Sequence, residues 1–255
     1  QQYILGPTDS LATLLKGYGY ETRAFHPGEQ TSWQRNIAYP RLGFDSFKCG
    51  EDMDVPQTEE HGYVSDDSDF EQIIWEFEHK DESTPLFLFN VTIQNHGSYT
   101  VEDYPAEVQL ADEPGAYPKA EQYLTLANKT DEAFKKLIDY FSAQTEPTIL
   151  VMFGDHQPSV EQEFLDKAYG VTQDEMTMAQ YMDKFKVPFI IWANYPLTGD
   201  STKITSLNFL AQYVLRNAGI ETSAYGKYLW NLQKTIPAMT FAGYFDSEGN
   251  AYSHL

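Results

Sequence analysis

One stretch constrains the fold more than any other: Thr148-Ile149-Leu150-Val151-Met152-Phe153-Gly154-Asp155-His156-Gln157-Pro158. After Pro147 comes a run of β-branched and large apolar residues without polar alternation. That is the pattern of a strand covered on both faces, as in a parallel sheet. The run stops at Gly154, and a carboxylate–imidazole pair follows where the strand should end. In open α/β sheets ligands bind beyond the carboxyl ends of the strands. Asp and His are both ligands of divalent metals, so Asp155 and His156 are candidate ligands of one ion. The blander alternative is a turn in which Asp155 caps the next helix.

Two further apolar runs, over residues 85–93 and 187–193, read as buried strands. The first leads directly into Gln94-Asn95-His96-Gly97. A shorter strand over 21–25 is broken by His26-Pro27-Gly28. Between the strands lie helix signals. Asp9 or Ser10 caps a helix over 11–16, and Thr31 or Ser32 caps a short one carrying Trp33 and Arg35. Asp66-Asp67-Ser68-Asp69 opens an amphipathic helix through Phe70, Ile73, Ile74 and Phe77, with its acids well placed for the helix dipole. A long helix follows over 118–141, and a later one over 206–218 is stopped by Gly219. Residues 49–64 read as an acidic loop and 97–117 as a long irregular one. A hairpin around Glu248-Gly249-Asn250 closes the chain.

Strands alternating with helices predict an α/β fold, a mostly parallel central sheet sandwiched by helices. The expectation is one domain over 1–255, with a small C-terminal β element over about 225–255. In such a sheet His26, His96 and Asp155-His156 gather along one edge. Each has an ordinary structural alternative: His26 starts the Pro27 turn, His96 is a satisfied loop histidine, Trp33 is core, Arg35 is solvated.

Composition narrows the partners. The formal net charge of −21, from 38 acidic and 17 basic residues, argues against nucleic acid or an anionic membrane as a direct electrostatic partner. The single cysteine, Cys49, leaves no internal disulfide and no cysteine-based zinc site. No apolar run approaches the roughly 20 residues of a membrane-spanning helix.

The spacing His26-Pro-Gly-Glu-Gln-Thr-Ser-Trp33-Gln-Arg35-Asn36, followed by Tyr39, Leu42-Gly43 and Phe44, resembles the lipoteichoic acid synthase family. Those proteins are phosphoglycerol transferases of the sulfatase/alkaline-phosphatase superfamily. Ile93-Gln94-Asn95-His96 is similar to the family's strand ending in Thr-Asn-His, and Phe153-Gly154-Asp155-His156 to its metal motif. Asn217-Ala218-Gly219-Ile220 matches the end of its late helix. The resemblance runs in order along nearly the whole chain. It implies that Asp155 and His156 bind a divalent metal, manganese or magnesium. It also implies that His26, Trp33, Arg35 and His96 line the pocket for a glycerophosphate headgroup from a phosphatidylglycerol-like or other phosphate or sulfate ester. The residue types suit this: an Arg fork holds two phosphate oxygens, and His can donate to another oxygen or to a leaving alkoxide. The implied mechanism is a two-step transfer through a covalent phospho-threonine.

There is one departure. In the family an acidic metal ligand and the nucleophilic threonine precede the His-Trp-Arg segment by several tens of residues, whereas 25 residues precede His26 here. The expectation is therefore an N-terminally truncated catalytic domain with no nucleophile of its own. Its membrane contact would come only through segments outside this chain, in a parent acting on the extracellular face of a bacterial membrane. Thr8, before a helix start, is the rival nucleophile. A sulfatase or phosphodiesterase on the same fold, or a noncatalytic binding module, are the competing functions.

Overall fold

The computed structural model of the chain describes residues 4–102, 104–198 and 204–254. It divides into two compact units, Gln1–Tyr140 and Phe141–Leu255.

In the first unit, α1 (Leu11–Lys16) begins at Ser10 as expected. The Ser10 hydroxyl accepts from the Ala12 and Thr13 amides, and the Thr13 hydroxyl accepts from the Ser10 amide in return, a reciprocal cap that satisfies otherwise orphaned donors. Strand β1 (Glu21–His26) is followed by a 3-10 turn over Ser32–Gln34, helix α2 (Arg35–Arg41) and β2 (Ser46–Cys49). A two-residue-per-strand hairpin, β3 (Glu59–Glu60) and β4 (Tyr63–Val64), precedes α3 (Asp66–Glu78), β5 (Leu86–Asn90) and the long helix α4 (Pro118–Ser142). The sheet is parallel with order β2-β1-β5. In this register His26, the last residue of the central strand, lies opposite Cys49, and Phe25 lies between Lys48 and Asn90. The strand ends that carry His26 and the 91–97 loop thus share one edge.

Helix α3 differs from its sequence reading. Phe70 is buried, but Ile73, Ile74 and Phe77 are half-buried, and the fully covered face holds Asp66, Asp69, Gln72 and Glu76. Partners from the sheet make this possible. Glu76, 1% exposed, takes an ion pair from Arg23 at 2.5 Å and from Lys48 at 2.8 Å, as well as a hydrogen bond from Gln72 at 3.0 Å. Buried charge is tolerable only when paired in this way. Hydropathy alone places acids outside, so the periodicity pointed at the wrong stripe.

The second unit contains β6 (Ile149–Phe153), α5 (Gln162–Tyr169), α6 (Met178–Asp183), β7 (Phe189–Ala193), α7 (Leu207–Asn217) and α8 (Ala224–Leu232). A three-stranded antiparallel sheet closes it: β8 (Ala238–Met239), β9 (Gly243–Phe245) and β10 (Ala251–Ser253), with Gly249 at φ 85° in the expected hairpin turn. The 148–158 stretch does form a strand ending before Asp155. Among the described residues, however, β6 pairs with β7, and the pairing is antiparallel, Ile149 opposite Ala193 and Phe153 opposite Phe189. Neither strand is covered on both faces: Phe153 is 37% and Ile190 45% exposed. An apolar run specifies a strand but not the direction of its neighbour. Asn194 ties the start of this pair together, accepting from the Thr148 amide and donating to the carbonyls of Phe141, Gln144 and Glu146.

Candidate functional site

His26 sits where β1 gives way to Pro27-Gly28 and is 3% exposed. Its Nδ1 lies 2.7 Å from the Val91 carbonyl, an acceptor, so Nδ1 carries the proton and Nε2 presents a lone pair. Burial pushes its pKa down to about 4; the Val91 bond opposes this, and the nearby charges of Arg35 and His96 add to it. Gly28 is required beside the ring, because a Cβ there would lie 2.5 Å from Nε2.

The next segment is not the simple capped helix its sequence suggests. Trp33 (φ 58°) and Gln34 (φ 55°) are both left-handed, and neither Thr31 nor Ser32 caps through its side chain. Two successive non-glycine residues in this region cost about 1–2 kcal/mol each. The reversal places Trp33 on the surface, 72% exposed, and starts α2 at Arg35, which is 8% exposed. The Arg35 guanidinium donates to the Ser32 carbonyl at 3.2 Å, and its charge acts on the buried Tyr39 hydroxyl. Neither structural alternative holds: Trp33 is not core and Arg35 is not solvated.

After β5, Gln94 and Asn95 are anchored to α4: the Gln94 carboxamide donates to the Leu126 carbonyl and the Thr130 hydroxyl, and Asn95 donates to Thr130 at 2.8 Å. His96 is exposed, and its Nδ1 donates to the Gly97 carbonyl at 2.7 Å, leaving Nε2 free. The first unit thus brings Arg35 and His96 each within electrostatic reach of His26. Both histidines use Nδ1 on the main chain.

In the second unit, Asp155 and His156 follow β6 with side chains 81% and 77% exposed. Asp155 caps no helix; α5 begins only at Gln162, and Glu161 is its cap residue. The Asp155 carboxylate accepts the His156 amide at 2.8 Å, His156 Nδ1 donates to the Gln157 carbonyl at 2.9 Å, and Nε2 lies 3.5 Å from Asp155 Oδ2. A histidine whose second nitrogen is held by a carbonyl is oriented as metal-bound histidines are. The pair therefore fits a divalent ion as two of its ligands. Among the described residues no three His, Cys, Asp or Glu side chains gather to form a complete site. Gly154 lets the strand end approach the segment just before β7, since a Cβ there would lie 3.0 Å from Val187 Cβ. Thr8 lies two residues before the cap Ser10 and donates to the Gly6 carbonyl at 3.0 Å, so it does not start a helix.

Sequence reasoning passed over His61 and Tyr63, which lie in the stretch read as an acidic loop. Local signals did not mark them: Glu59-Glu60 is a poor strand pair, and His-Gly is not a favoured hairpin turn.

The sulfatase family profile matches residues 2–220. The chain belongs to the sulfatase family. A protein of Rhizobium meliloti (strain 1021), provisionally named for cyclic beta-1,2-glucan modification, is 32% identical over 240 residues, covering 90% of this chain and 36% of its own length. The lipoteichoic acid synthase-like YvgJ of Bacillus subtilis (strain 168) is 28% identical over 181 residues, 69% of this chain and 28% of that protein. In fold, the chain superposes on the Streptococcus pyogenes phosphoglycerol transferase GacH, solved with sn-glycerol-1-phosphate. The TM-score is 0.70 at 19% identity, over 86% of this chain and 55% of that one. The chain thus spans about a third of the length of these curated relatives. The resemblance read from the His-Trp-Arg and Gly-Asp-His motifs stands, and with it the α/β fold of this sulfatase-family chain.

Proposed function

We propose that this sulfatase-family chain is the headgroup-binding part of a metal-dependent phosphoglycerol transferase that builds cell-envelope polymers at the outer face of a bacterial membrane. The single observation that carries this reading is the grouping of His26, Arg35 and His96 beyond one sheet edge, with each histidine's Nδ1 committed to the main chain. Arg35 supplies a permanent positive charge and a planar fork for a phosphate group. His26, neutral at physiological pH, accepts a hydrogen bond at Nε2 and so suits a hydroxyl of the glycerol, not a phosphate oxygen. His96 Nε2, at the exposed end of its loop, can take a proton from an approaching hydroxyl or return it to a leaving oxygen. Exposed Trp33 offers an apolar face for glycerol carbons.

Asp155 and His156 would hold a manganese or magnesium ion, which when bound neutralises charge on the phosphorus and lowers the pKa of a hydroxyl nucleophile. The threonine that carries the transferred group, a further acidic metal ligand and a membrane anchor are assigned to upstream segments of a longer parent. The name of the Rhizobium relative favours a polysaccharide hydroxyl as acceptor.

Titration of the folded chain with sn-glycerol 1-phosphate tests this reading. Saturable binding is expected, lost in Arg35→Ala and only partly restored in Arg35→Lys, which lacks the fork. In the intact parent enzyme Arg35→Ala should remove about 2.7–4 kcal/mol of transition-state stabilisation. Unchanged binding and turnover in Arg35→Ala would overturn the assignment.

A further inference from the structure

The hairpin β3–β4 turns through His61 and Gly62, with φ values of 36° and 91°. Positive φ at both central residues is the signature of a type I′ turn, for which Asn-Gly or Asp-Gly is the unstrained choice. Histidine is therefore not there for the turn. What it adds is a bond: Nε2 lies 2.5 Å from the Gln94 carbonyl and donates to it. Nδ1, the remaining lone pair, is buried without a hydrogen-bond partner. The ring stacks on Tyr99 at 6.3 Å and meets Tyr63 and Tyr104 edge-on. A left-handed histidine with an unpaired buried nitrogen persists only where its surroundings over-determine it, and such positions cluster at functional sites.

What His61 holds is the loop carrying His96. The Gln94 side chain is clamped from the other side, its Oε1 accepting the Asp66 amide of α3 and its Nε2 donating to α4. The hairpin supplies the third clamp, on the main chain itself. Its other strand places Tyr63 against His96: the rings meet edge-on at 5.6 Å, and the phenol oxygen lies 3.4 Å from His96 Nδ1. The His96 Nδ1 proton is already committed to the Gly97 carbonyl, so what Tyr63 adds is chiefly the ring packed against the imidazole.

We propose that the β3–β4 hairpin is a positioning arm for the phosphate-ester site, His61 fixing the 94–97 main chain and Tyr63 fixing the ring of His96. The inference rests on the reading above only in assigning His96 to that site. Both are positioning residues, because they act through His96.

The experiment is a histidine-ring 15N NMR titration of the full chain, with sn-glycerol 1-phosphate as the binding probe and circular dichroism as the folding control. Three variants decide it: His61→Asn, which tolerates the turn but lacks the imidazole donor; Tyr63→Leu, which keeps apolar bulk; and Tyr63→Phe, which keeps the ring. In wild type, His96 should be the Nδ1-protonated tautomer. His61→Asn and Tyr63→Leu should move its ring resonances and weaken probe binding about tenfold. Tyr63→Phe should stay within about twofold of wild type in binding. The His79 and His254 resonances should not move in any variant. Unchanged His96 signals in folded His61→Asn and Tyr63→Leu proteins would overturn the proposal. If His61→Asn fails to fold, the contrast between Tyr63→Leu and Tyr63→Phe decides alone. Displaced His96 signals in a chain that binds no glycerol phosphate would uphold the positioning role and overturn the proposed function.

Discussion

Asp69→Asn should stabilise this protein, and more so as pH rises. Asp69 is 0% exposed on α3, and its Oδ1 accepts the Asn90 carboxamide at 2.5 Å. Its Oδ2 and the Asn90 Oδ1 are each buried with no hydrogen-bond partner. Two acceptors cannot satisfy each other, but a proton on Asp69 Oδ2 turns the pair into a closed acid–amide ring. Burial, together with the Asp66 carboxylate nearby, pushes the Asp69 pKa well above the usual range, so the folded state keeps that proton. The sign follows: the native state binds more protons than the unfolded one, so stability is greatest below the unfolded carboxylate pKa. It then falls as pH rises towards the folded pKa, by about 1.4 kcal/mol per unit. Two other groups obscure this at lower pH. Asp66, pushed up to about 6, contributes a fall of its own, while His26 contributes a rise. Above the range in which those two titrate, the remaining fall with pH is that of Asp69, and it continues until the folded-state carboxyl ionises. Asparagine preserves the ring geometry and has no proton to lose, so the variant should be flat above that range and should match wild type in acid. Urea unfolding at several pH values reads the free energies, and infrared spectroscopy should show a protonated carboxyl band that the variant lacks. A flat wild-type profile, or a variant less stable than wild type at pH 8, would refute the reasoning and mean that Asp69 is ionised against a bound partner.

His26 should show the opposite sign. Its folded pKa of about 4 lies below the ordinary 6.5, so wild-type stability is full above that value. About 3 kcal/mol of it should be lost as pH falls through the interval; His26→Gln should flatten this part of the urea profile, and an unchanged slope would rule His26 out as its source. The isolated chain should bind manganese more weakly than micromolar, because Asp155 and His156 supply two ligands where complete catalytic sites usually have about three. Calorimetric titration checks this, with His156→Ala abolishing the signal, and submicromolar one-to-one binding would show that this chain holds a complete site.

Much of the architecture was legible in local chemistry. Ser10 before a short apolar helix, Gly219 after a longer one, and an unbroken apolar run stopping at Gly154 each specify an element through forces acting within a few residues. The motif His26, Trp33, Arg35 with the later Gly-Asp-His was legible as a family resemblance, and the sulfatase family profile over residues 2–220 bears the family out. Sequence alone could not set the direction in which β6 meets β7, since an apolar run satisfies parallel and antiparallel neighbours alike. Nor could it show that α3 buries Asp66, Asp69 and Glu76, because burial of a carboxylate depends on partners such as Arg23, Lys48, Asn90 and Thr130, which are remote in the chain. The left-handed turns at Trp33 and His61 belong to the same class. Local propensity disfavours both, and in His61 the contacts that hold the turn, to Gln94 and Tyr99, exist only after the loops have come together.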